Sequence, residues 1–177
     1  MLDLEDDAEL REAGWADGEL PLVIEAFEST VLARLRERGI RGSFIYLLEA
    51  AGRPVDLVAV HGKAALTYKE TAAPAGLDGL AGVVDGISVD KRMILAPDRR
   101  GRMTGPTTVV DDAHARGLRV FTWTARPENA FLVGQYRSRG GSAAFGDWEA
   151  EWAVIRDAGI DGVFVDHPDL GVEFFRR

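Results

Sequence analysis

The sequence predicts an α/β fold of about five parallel strands with helices outside them. The first observation is a joint that recurs five times: Gly14-Trp15, Gly39-Ile40, Gly82-Val83, Gly117-Leu118 and Gly159-Ile160. At each, a helical stretch ends in Gly, which supplies the left-handed residue that stops the helix, and the large apolar neighbour is expected to pack back on the last turn. The second observation is the apolar run that follows each joint, clearest in Arg119-Val120-Phe121-Thr122-Trp123-Thr124, which is rich in β-branched and aromatic residues. Strands are expected near 22–27, 43–48, 84–89, 119–124 and 162–166. Helices alternating with short strands specify parallel pairing. Five such strands suit either an open flavodoxin-like sheet or five-eighths of a (β/α)8 barrel. Length alone favours the open sheet, because complete barrels run to about 250 residues.

In chain order, Ser29 is positioned to cap a helix with Val31, Leu32 and Leu35 on one face and Gly39 as its stop. Pro106 is placed to open another at its first turn, with Val109, Val110 and Ala113 inward and Gly117 closing it. Asp147 is the expected cap of a third, in which Trp148, Trp152 and Ile155 fall on one face and are expected to be core. The segments 50–75, 90–105 and 126–146 do not fit the simple unit. The last two directly follow strand ends and are long for such connections, which makes them candidate site loops.

Composition narrows the functional classes. The 177 residues are 46% apolar and 28% charged, enough for one domain with a sizeable core. A formal charge of −8 and a pI of 4.9 argue against nucleic-acid binding and against an anionic membrane surface. The one basic patch runs from Lys91 to Arg102. Without cysteine there are no disulfides, thiolate metal sites or Cys nucleophile. No apolar run approaches the roughly 18 residues of a membrane span. The start, Met1-Leu2-Asp3-Leu4-Glu5-Asp6-Asp7, is acidic where a signal peptide would be basic, so a cytoplasmic location is the default expectation.

The strongest functional signal is the stretch from Gly117 to Asn129. The C-terminal end of its strand carries Trp123, Thr124 and Arg126, and in α/β folds that end faces the ligand. An indole beside a guanidinium suits a small anionic substrate with an apolar part. The competing assignment is a wall tryptophan and a solvated surface arginine.

RVFTWTARPENAFL, followed by GDWEAEW and AGIDGVFVDHPDLGVEFF, resembles the C-terminal part of the glycerophosphodiester phosphodiesterase family, in particular its bacterial branch. Upstream, PLVIEAFE, IYLLEA and VDGISVDK continue the resemblance in the family's order. It implies a partial TIM (β/α)8 barrel of the phosphodiesterase type, its strands four to eight, as one incomplete domain over residues 1–177. Two open strand edges would then invite self-association. The family's His-Arg-Gly strand, Glu-x-Asp strand, second His and Glu-x-Lys strand have no counterparts in this sequence.

For a complete domain the resemblance implies hydrolysis of a glycerophosphodiester to glycerol 3-phosphate and an alcohol, within lipid and glycerol metabolism. Two histidines would act as acid and base, and a divalent cation, Ca or Mg, would be held by carboxylates. Since those groups belong to the absent strands, no catalytic residue and no metal ligand is assigned here, and the chain alone is expected to be inactive. The alternative is a non-catalytic binding or assembly module. Expected substrate contacts are Phe27, Trp123, Arg126, Glu25 and Lys91: rings against the glycerol, Arg126 and Lys91 toward the phosphate, Glu25 toward a cation or hydroxyl. Asp166 is expected to hold the rim together. His167, His61 and His114 are read as surface or capping residues.

Overall fold

The computed structural model describes residues 8–9, 11–18, 20–103 and 105–176; the acidic start lies outside them. Five strands, β1 (Val23–Ala26), β2 (Ser43–Leu48), β3 (Gly86–Asp90), β4 (Arg119–Ala125) and β5 (Gly162–Val165), form one sheet in chain order. All four pairings are parallel. The helices are α1 (Ser29–Glu37), α2 (Val55–His61), α3 (Tyr68–Thr71), α4 (Pro74–Leu80), α5 (Arg92–Leu95), α6 (Val109–His114), α7 (Trp148–Asp157) and α8 (Pro168–Phe175). The sheet curls into half of a (β/α)8 barrel. A flat sheet would separate its first and fourth strands by roughly 14 Å, yet the rings of Phe27, just past β1, and Trp123, on β4, lie 5.8 Å apart.

The five glycine joints behave as expected. Gly14, Gly39, Gly82, Gly117 and Gly159 have φ of 73°, 76°, 77°, 72° and 86°. A Cβ on any of them would meet no atom within 4 Å, so backbone conformation alone requires glycine there. The packing expected of the following residue holds only in part. Ile40 and Leu118 are 3% and 2% exposed, whereas Trp15 and Val83 are 40% and 46% exposed, and at the third joint Val84 takes the buried position instead.

Side chains alternate across the sheet. Phe44, Tyr46, Leu48, Ile87, Val89 and Val120 face the helices and bury Leu32, Leu35, Leu77, Val110 and Ala113. On the concave face, register puts Leu47, Ser88, Phe121 and Gly162 in one row, large beside small. The spacing is tight, since a Cβ on Gly162 would stand 2.5 Å from Phe121 and one on Gly86 would stand 2.5 Å from the Arg119 carbonyl. A second core joins Ala125 to Trp152 and Phe174, with Trp148 packed on it, as the tryptophan stripe requires. The Trp148 and Trp152 rings are 4.6 Å apart. Burying an indole of this kind contributes roughly 1.5–3 kcal/mol.

The sequence Asp-Gly precedes both β3 and β5, and both aspartates do the same work. Asp85 accepts the Phe44 amide at 2.8 Å and Arg36 at 2.8 Å. Asp161 accepts the Val120 amide at 2.7 Å and pairs with His114 at 2.9 Å. Each thereby ties the N-terminal end of its strand to the neighbouring one, and His114 becomes part of that tie.

Two helix starts differ from expectation. Ser29 is the first helical residue and caps nothing; the Thr30 amide is satisfied instead by Asp56, from α2, at 3.1 Å. Pro106 lies ahead of α6, because Thr107 is pinned to α5 through its amide on the Ile94 carbonyl at 2.9 Å and its hydroxyl on the Met93 carbonyl at 2.7 Å. Asp147 caps α7 as expected, accepting from the Ala150 amide at 3.4 Å.

Candidate functional site

The C-terminal rim of the sheet carries the polar residues. β4 contains a bulge: Thr122 pairs with Val163 and Ala125 with Val165, so three steps on β4 match two on β5. Ala125 therefore packs on the helix side, while Trp123 stays on the concave side, with a cis peptide bond between Trp123 and Thr124. The Trp123 indole N–H donates to the Ser88 carbonyl at 3.1 Å, and its ring meets Phe27 edge-on at an interplanar angle of 89°. A hydrogen bond at one end and a ring at the other fix the indole, which stays half-buried.

Arg126 follows the bulge and ties the rim together. Its guanidinium donates to Glu128 at 3.1 Å, pairs with Asp166 at 2.9 Å and lies 3.7 Å over the Phe131 ring. Glu128 also pairs with His167 at 3.3 Å, and Phe145 stands edge-on to that imidazole. The Arg126 hydrogen bond, helped by His167, holds the Glu128 carboxyl down at about 2. Asp166 thus joins the segment after β5 to Arg126, while His167 belongs to the same network and makes no cap bond to α8.

Lys91 sits below this surface. It is 6% exposed, and its ammonium pairs at 2.6 Å with Glu151 of α7, itself 0% exposed. The other Glu151 oxygen accepts the Val133 amide at 2.7 Å, so the charge expected to meet a phosphate is already neutralised inside the protein. Glu25 lies at the far side, on β1. One of its carboxyl oxygens is buried without a hydrogen-bond partner, and burial raises its pKa.

Trp123, Arg126 and Lys91 line a common cleft of about 620 Å³, walled by segments from both long loops singled out in the sequence. Phe27 meets the Trp123 ring, but neither Phe27 nor Glu25 is among the residues that line this cleft. The loops are joined backbone to backbone: the Gln135 amide donates to the Gly101 carbonyl at 3.0 Å, and a Cβ on Gly134 would stand 2.9 Å from the same oxygen.

The model of the glycerophosphoryl diester phosphodiesterase family matches residues 5–170. The chain belongs to this family. It is similar to glycerophosphodiester phosphodiesterase GDPD6 of Arabidopsis thaliana, with 26% identity over 86% of this chain. It spans 44% of that curated relative's length. In fold it is similar to a crystal structure from Silicibacter pomeroyi DSS-3 described as a glycerophosphoryl diester phosphodiesterase. That match has a TM-score of 0.51 and 15% identity, covering 87% of this chain and 37% of the other.

Family membership raises the question of a cation. Among the described residues no three His, Cys, Asp or Glu side chains converge. Most carboxylates around the cleft already serve cations of the protein, since Glu128 and Asp166 hold Arg126, Asp90 holds Arg92, and Glu151 holds Lys91; Glu25 stands apart on β1 and belongs to no such group of three among the described residues. These residues do not fit a metal, and no step is derived through one. No helix among the described residues is long and apolar enough to cross a membrane. Glu128 and Glu151, which anchor Arg126 and Lys91, are not among the residues expected from the sequence. The Arg-Pro-Glu turn hints at the first, and the inward stripe of α7, where Glu151 stands between Trp148 and Trp152, points to the second.

Proposed function

We propose that this chain provides the substrate-holding wall of a glycerophosphodiester phosphodiesterase, whose complete domain hydrolyses a phosphodiester to glycerol 3-phosphate and an alcohol. In that reaction water adds to phosphorus, the bond to the alcohol oxygen breaks, and the alcohol leaves with a proton. The observation that carries the reading is the fixed Phe27–Trp123 ring pair at the C-terminal rim, beside Arg126. The rings cover the apolar face of the glycerol. Arg126 directs three of its N–H groups at Glu128 and Asp166, which leaves two of the five on a guanidinium for phosphate oxygens. Lys91 contributes by holding α7 against the cleft, and Glu25 offers an acceptor for a hydroxyl on the β1 side. The acid, base and any divalent cation, Ca or Mg, belong to parts of the family domain outside these five strands.

The test is a fluorescence titration of the purified chain with glycerophosphocholine, with choline release followed in the same samples. Saturable quenching that is lost in Trp123→Ala, without choline release, is expected. Absent binding refutes the reading, and chelator-sensitive turnover by this chain refutes its inactivity.

A second reading, a non-catalytic assembly module, draws on the sheet edges. β1 and β5 end the sheet, and Val23 and Phe164 there are 48% and 46% exposed. Sedimentation velocity across a concentration series tests it: a species of twice 19.3 kDa supports pairing of two copies, and a monomer at all concentrations opposes it.

A further inference from the structure

We infer that the cleft contains a second anion subsite, formed by Arg99 and Arg137, and that the alcohol portion of the substrate carries a negative charge of its own. The inference rests on the glycerophosphodiester reading of the Trp123 wall and extends it to the group beyond the phosphodiester.

The charge in the cleft is lopsided. Its lining includes Lys91, Arg92, Arg99, Arg126 and Arg137 but only Asp90 and Asp98 as acids, on a chain whose formal charge is −8. Most of these charges have local partners. Lys91 is matched by Glu151, Arg92 by Asp90, and Arg126 by Glu128 and Asp166. Asp98 is taken by Arg102 and by the amides of Arg100 and Arg102. Among the described residues, Arg99 and Arg137 have no carboxylate partner.

Both sit on a built framework. Arg137 donates its Nε–H to the Leu132 carbonyl at 2.9 Å, which orients the side chain and leaves both terminal nitrogens unused. Its loop is held from within by Asn129, 4% exposed, which donates to Ser138 Oγ and to the Gly141 carbonyl, each at 3.0 Å. The same Asn129 accepts the Ser138 amide at 2.8 Å. Arg99 lies on the partner loop, which Gly101 and Gln135 fasten to the first: the Met103 amide donates to Gln135 Oε1 at 2.8 Å. Two guanidiniums on joined loops, facing the cleft that Trp123 also lines, are suited to engage a phosphate or carboxylate through paired N–H donors. A quaternary ammonium head group placed there would meet like charge instead.

The test is calorimetric titration of the 177-residue chain with three probes: glycerophosphocholine, glycerophosphoinositol 4-phosphate and inositol 1,4-bisphosphate. Both phosphorylated probes are expected to bind at least about tenfold tighter than glycerophosphocholine, the scale of one charge-assisted contact. Arg99→Gln, at an exposed side chain with no carboxylate partner among the described residues, and the double variant with Arg137→Gln should remove that advantage, with unchanged far-UV circular dichroism. Equal affinity for all three probes, or phosphorylated probes held equally well by the double variant, overturns the subsite. Under that outcome glycerophosphocholine binding that depends on Trp123 still upholds the glycerol reading. Conversely, arginine-dependent binding of inositol 1,4-bisphosphate with no binding of glycerophosphocholine upholds the subsite and refutes the glycerol reading.

Discussion

Two glutamates at the same rim are held in opposite ways. Glu128, in the corner between β4 and β5, is engaged by Arg126 from the segment after β4 and by His167 from the segment after β5, and its carboxyl is held at about 2. Glu25, on the edge strand β1, has a buried oxygen with no partner, and burial raises its pKa. Their residue type is the same and both are half-buried. What differs is that one corner has neighbouring loops to close over it, while the other lies at the end of the sheet. A carboxylate is stabilised by donors, not by position on a rim, and the donors to Glu128 come from the segments after β4 and β5.

The largest expected effect breaks the closed corner from beneath. Glu151→Gln leaves Lys91 buried without a counter-charge, and a broken buried pair costs about 3–5 kcal/mol. Urea unfolding should show a free energy lower by that amount, read as a lower midpoint at unchanged slope, and the double variant with Lys91→Met should recover part of it. A midpoint within error of the parent would mean that the pair contributes nothing to holding α7.

Next in size is Glu128→Gln, expected to cost about 1 kcal/mol as a partly exposed ion-pair network. Its sign with pH is fixed. A carboxyl with a depressed pKa contributes above its ordinary value of 4.5 and loses that contribution as pH falls toward about 2. The difference between parent and variant should therefore be full at pH 7 and shrink steadily below 4.5; a difference independent of pH would show that packing, not charge, is being measured.

The smallest effect has the opposite sign. Glu25 has a raised pKa, so it costs stability once ionised and nothing while protonated. Glu25→Gln should raise the thermal midpoint at pH 7 and leave it unchanged at acid pH. Destabilisation at pH 7 would mean that Glu25 has a partner which these contacts do not include.

The same contrast explains what was legible in the sequence. Local chemistry was readable. The five glycine stops, the strands they introduce and the inward Trp148, Trp152 and Ile155 follow from residues within one turn of each other, and the long loops were recognisable as the cleft's walls. Choosing a barrel fragment over an open sheet needed the family resemblance, because periodicity reports alternation and not curvature. Pairings across the fold were hidden. Lys91 and Glu151 are 60 residues apart, Glu128 and His167 are 39 apart, and Asp56 reaches Thr30 from another helix. None of these partners lies near its mate in sequence, and only the closed structure brings them together. Arg126 shows both sides: its place at the strand end was evident, while its engagement with Glu128 and Asp166 was not.

The most direct test of the substrate-holding wall is the indole N–H region of a two-dimensional NMR spectrum during titration with glycerophosphocholine. The chain has four tryptophans, and only the Trp123 indole joins the Phe27 ring at the concave rim. The account predicts a saturable shift of the Trp123 signal, identified by its loss in Trp123→Phe, with Trp148 and Trp152 unmoved in their core. Saturable binding that leaves Trp123 in place, or that shifts the core tryptophans instead, would contradict it.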